Sequence, residues 1–106
     1  MASSRGVAHL SRELVNKLVG IVTDPGMPAQ RKLDQASATL DRVIRESESP
    51  ASGARHTVVG ALDDAISTAA ELARGSAPRH DIEVRVRAKL VETLRDVPGV
   101  SVESGR

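Results

Sequence analysis

The stretch Arg55–Gly75 reads RHTVVGALDDAISTAAELARG, and its periodicity decides the fold class. At ~100° per residue, Val58, Val59, Leu62, Ala65, Ile66, Ala69, Ala70, Leu72 and Ala73 fall within an arc of about 160°. Gly60, Asp63, Asp64, Ser67, Thr68, Glu71 and Arg74 fill the other side. This predicts a helix with one face in a core and the other in water. Alanine recurs along the apolar face, so neighbouring backbones can come close. Gly75 stands where a left-handed C-cap residue is expected.

Beyond it, Ile82, Val86, Leu90, Leu94 and Val97 are spaced for a second core-facing helix. Residues 82–87 also alternate with period two, which is a strand signal. One continuous helix from about Pro78 to Asp96 accounts for more of the residues. Val97-Pro98-Gly99 ends it. On the N-terminal side, ESESPASGA (46–54) loses all periodicity and reads as a flexible loop, which lets the helices on either side be antiparallel neighbours or members of an exchanged dimer. Ala29, Leu33, Ala36, Leu40, Val43 and Ile44 form a narrow seam on a helix opened by Met27-Pro28. Leu10, Leu14, Val15, Leu18, Val19, Ile21 and Val22 mark another, stopped by Asp24-Pro25-Gly26 and N-capped by Ser11 or the Ser3–Ser4 pair.

The sequence therefore predicts an all-α fold, a four-helix up-down bundle with helices near 7–23, 28–47, 55–74 and 78–96. Residues 1–106 form a single domain, with a flexible loop at 47–54 and a short flexible C-terminal tail at 98–106. No internal repeat is evident. The segment Asp81–Glu103, a helical run followed by a PGV turn and a short alternating stretch, resembles the opening of small lipid-associated α/β modules of the BON type. The strands and glycine that follow in that family are missing, so nothing functional is carried over.

Composition narrows the chemistry. Of 106 residues, 40% are hydrophobic and 27% charged, which is ordinary for a soluble folded chain. The aromatic count is 0%, so every bulky core residue is aliphatic and buries less area than Phe or Trp. A partner or a second copy is correspondingly favoured. With no cysteine, disulfides, zinc–thiolate sites and thiol nucleophiles are excluded. No apolar run nears the ~20 residues needed to span a bilayer, and no secretory signal is visible. A cytoplasmic protein with no membrane role is the expectation, and the preference for Arg over Lys suits a GC-rich bacterial or phage source. The net charge of +1 does not by itself argue for a polyanion.

No catalytic constellation emerges. His9, His56 and His80 lie in three different segments with no H-E-x-x-H arrangement. Asp63 and Asp64 are adjacent, but neighbours on a helix point ~100° apart and do not converge as a dyad. No phosphate-binding loop or nucleophile elbow occurs. A helix-turn-helix centred on Gly75 fails twice, because Glu71 and Asp81 stand where a small and an apolar residue belong.

The expected function is thus that of a non-enzymatic interaction protein (an adaptor, inhibitor, regulator or assembly component) without metal or cofactor, working through an apolar helical face. Self-association as a homodimer is one form of it. The candidate contacts are Val15 and Val19 on the first helix with Val84, Ala88 and Val91 on the last. The alternative is a DNA-associated regulator using Arg79, Arg85, Arg87 and Lys89.

Overall fold

A computed structural model describes residues 7–49, 53 and 55–103. Among them the order is β1 (Ala8–Leu10), α1 (Arg12–Val22), α2 (Ala29–Glu46), α3 (Arg55–Arg74), α4 (Arg79–Arg95) and β2 (Val100–Val102). The chain is mostly helical, with one small pair of parallel strands. Residues 82–87 belong to α4, so the helical reading of that stretch prevails over the strand signal.

Two expectations fail at the ends of the chain. The first helix does not begin at residue 7. Ala8 and Leu10 are buried while His9 is exposed, the period of a strand, and Ser11 stays extended at φ −70°, ψ 166°. Its side chain accepts from the Leu14 N–H at 3.2 Å and starts α1 as an N-cap. The supposed tail is β2, which pairs in parallel with β1 in the register Ala8–Val100, His9–Ser101, Leu10–Val102. Residues 104–106 of the expected tail lie outside the described residues.

This strand pair is held by a compact set of bonds. Val97-Pro98-Gly99-Val100 turns the chain out of α4, with Val100 N–H donating to Val97 O at 3.2 Å and Gly99 at φ 86°. Pro then Gly at the two central positions is type II turn chemistry. The Gly99 carbonyl accepts both the Ala8 N–H at 2.9 Å and the buried Ser49 hydroxyl at 2.7 Å. Glu103 donates its N–H to Leu10 O at 2.9 Å, and its carboxylate accepts the Arg12 N–H at 3.1 Å. A carboxylate on the first turn of α1 also opposes the positive end of the helix dipole. Ser49 shows that the expected loop at 47–54 is anchored at its start; residues 50–52 and 54 of that loop lie outside the described residues.

Helices α2 and α3 close with the same motif. The Ser49 N–H reaches Ile44 O at 3.2 Å while Glu48 N–H reaches Arg45 O at 3.1 Å; Ala77 N–H reaches Leu72 O and Ser76 N–H reaches Ala73 O, both at 3.0 Å. These are Schellman caps, whose penultimate residue takes the left-handed conformation. That residue is Glu48 (φ 53°) in the first and Ser76 (φ 63°) in the second, so the left-handed residue after α3 is not Gly75 as expected. A side chain there costs about 1 kcal/mol. Ser76→Gly is therefore expected to raise the melting temperature by about 5 °C in a far-UV thermal scan.

The burial spacing of one helix recurs in another. Buried positions in α1 are 15, 18, 19 and 22, and in α3 the same spacing recurs at 62, 65, 66 and 69. α2 buries 36, 40 and 44; α4 buries 86, 90 and 94. Each second helix follows a proline N-cap of near-identical geometry, Pro28 at φ −66°, ψ 153° and Pro78 at φ −61°, ψ 148°. Two helix–proline–helix units therefore follow one another along the chain, and both contribute to one core. Residue size does not follow the spacing: Leu18 stands where α3 has Ala65, and Ala36 where α4 has Val86.

One apolar cluster draws residues from β1 and all four helices, with Val100 and Val102 of β2 packed against it. Leu10, Leu18, Leu40, Leu62, Leu90 and Leu94 are its largest fully buried side chains. Consecutive helices contact one another, and α4 returns to α1. Ala65 is completely buried near the middle of α3 and marks the centre better than Ala69, which borders a surface groove.

Candidate partner-binding surfaces

The five residues expected to meet a partner divide into two groups. Val15 and Val19 of α1 are 2% and 4% exposed and belong to the core. They are thus not surface contacts: α2, α3 and α4 all pack on this short helix and cover an arc that looked too wide for a small bundle. On α4, Val84 is 50% exposed, Ala88 is exposed and Val91 is half-buried. The row Val86, Leu90 and Leu94 takes the core side of the same helix. α4 is therefore apolar on its inner side and partly apolar on its outer side, where the core has no use for it.

The basic residues of the alternative reading lie on the same helix. Arg85 and Lys89 are exposed one turn apart, and Arg87 is half-buried. Arg79 donates its Nε–H to Glu83 Oε2 at 3.1 Å, an ion pair one turn along α4.

His56 and His80 are exposed, and the His9 Nε2 lies 4.0 Å from Glu103 Oε1 with both side chains largely in solvent. No group of three or more His, Cys, Asp or Glu side chains converges on a metal-sized position among the described residues. Asp63 and Asp64 are exposed on the outer face of α3. No buried side-chain nitrogen or oxygen lacks a hydrogen-bond partner among the described residues. Among the described residues no helix is long and apolar enough to cross a membrane.

Two of the grooves formed by the described residues bear on partner binding. One, between α2 and α3, is lined by Leu33, Ala38 and Val59 and carries both charge signs. Across it the Arg55 guanidinium meets Asp41 Oδ2 at 3.1 Å, so its charge is answered internally. The other lies where the α1–α2 and α3–α4 connections meet. Its floor is built from Ala69, Ala70, Ala73 and Ala77, with Lys32, Arg74 and Arg79 at its edges. Sequence reasoning missed this groove, because alanine is equally at home in a core stripe and on a solvated helix face. The available signal was the run of alanines at helical spacing on both sides of Arg74.

No protein-family model, curated protein or solved structure gives a significant match to this chain.

Proposed function

We propose that the chain is a non-enzymatic protein–protein interaction domain that uses the outer face of α4, as an adaptor, inhibitor or assembly component. The observation that carries this reading is Val84, half exposed on a helix whose core-facing row is already complete. Ala88 lies one turn on and Val91 two turns on, so a partner helix would meet a continuous apolar strip. Contact between consecutive helices, with α4 closing back onto α1, supports an up-down bundle as the scaffold for that strip. A homodimer through α4 and a cytoplasmic setting are part of the same proposal.

The test compares the wild-type chain with Val84→Asp, which alters an exposed site and should melt like the parent. Sedimentation equilibrium at micromolar concentration reads self-association, and affinity capture with each chain as bait reads a partner. The expected result is a dimer, or a captured protein, that the wild type gives and Val84→Asp loses. A wild-type chain that is monomeric and captures nothing sensitive to Val84 overturns the proposal.

Arg85 and Lys89, exposed one turn apart, support a second reading as a DNA-associated regulator. Phosphate contacts require affinity for duplex DNA to fall steeply as salt rises. Absence of binding at low salt removes this alternative.

A further inference from the structure

The groove where the α1–α2 and α3–α4 connections meet differs from its counterpart between α2 and α3 in one decisive respect, its charge. Lys32, Arg74 and Arg79 line it, and no carboxylate does among the described residues. Arg79 shares its charge with Glu83 through the bond at 3.1 Å. Lys32 and Arg74 have no ion pair within 4.0 Å among the described residues. Three cations on so small a rim stand out in a chain whose net charge is only +1.

The floor is equally specific. Ala70 and Ala73 are exposed and Ala77 is half-buried, so methyl groups rather than long side chains meet the solvent. Such a floor leaves depth for the side chains of another molecule. The α3 cap holds Ala77 at its place in the groove through the 3.0 Å bond to Leu72 O.

We infer that this groove docks an acidic amphipathic helix of a partner protein, whose apolar row lies on the alanines and whose Asp and Glu side chains meet Lys32, Arg74 and Arg79. The inference rests on the interaction reading above and assigns it a second surface and the charge of its partner. Opposite charges across the rim select the partner and speed its approach, while the apolar floor supplies the contact area. The geometry is that of a helix laid in a groove.

Fluorescence anisotropy tests it with a labelled 16-residue peptide that carries Leu and Ala at helical spacing and Glu between them. A second peptide has Lys in place of every Glu. The Glu peptide should bind the intact chain, weaken as salt rises, and weaken at least tenfold against Lys32→Glu/Arg74→Glu. Ala73→Gln, which narrows the groove at an exposed position without adding charge, should weaken it as well. Circular dichroism confirms that each variant is folded. Equal binding of the Lys peptide, no binding of the Glu peptide, or binding indifferent to all three substitutions overturns the proposal. So does duplex DNA binding that the double variant abolishes while the Glu peptide fails to bind, since the groove would then be a phosphate site. Loss of a captured protein on Val84→Asp but not on Lys32→Glu/Arg74→Glu would leave the α4 interface standing and remove the groove alone.

Discussion

Removing residues 98–106 should destabilise the protein by about 4 kcal/mol, measured as a fall in the urea midpoint at constant temperature. The truncation deletes β2, so Val100 and Val102 no longer pack on the core. It also uncovers Ala8 and Leu10, both 0% exposed in the intact fold. The Ser49 hydroxyl and the Ala8 N–H lose their shared acceptor, the Gly99 carbonyl, and the Arg12 N–H loses Glu103. Of these the Ala8 N–H belongs to a fully buried residue, and a buried donor without an acceptor costs about 1–3 kcal/mol, although strand β1, once freed, regains water and limits the loss. Against a total of about 5–15 kcal/mol for a small domain, the loss is large. A truncated chain with the urea midpoint of the parent would show that the strand pair is peripheral.

Ala65→Phe should destabilise by about 3 kcal/mol, the upper end of the usual overpacking range. Ala65 has no exposed surface and sits between Leu62 and Ile66 on the core side of α3. With no aromatic residue in the chain, the helices around it are spaced for aliphatic side chains throughout. A phenyl ring there must push α3 from its neighbours or leave its rotamer well. The same change at Ala73, exposed at the groove, should cost far less, so the pair separates a packing effect from a loss of helix propensity. Equal melting temperatures for the two variants would place the core elsewhere.

The legibility of the sequence varied with the length of the signal. α3 was readable to its ends because twenty residues carry more than five turns of consistent periodicity. α4 was harder. Val84 and Ala88 place apolar groups outside the core row, and the same residues that blurred its helical pattern are the surface now offered to a partner. β1 was unreadable because three residues hold too little alternation to oppose the strong helical run that follows, and its partner strand lies at the far end of the chain. Val15 and Val19 were misplaced for a related reason. A sequence shows how wide an apolar arc is, but the number of neighbours that cover it is a property of the assembly.

The pairing of Ala8 with Val100 sets an order on biosynthesis. Parallel strands need a connection that carries the chain from one back to the start of the other, and here that connection is all four helices. A nascent chain can form its helices and the contacts between consecutive ones, which are local and fast, while β1 still has no partner. Ala8 and Leu10 then remain an unpaired apolar edge until residue 102 has left the ribosome. Residues 100–102 close over residues 8–10 only after all four helices have been made, and a chain interrupted before Val100 keeps four helices joined to an open strand.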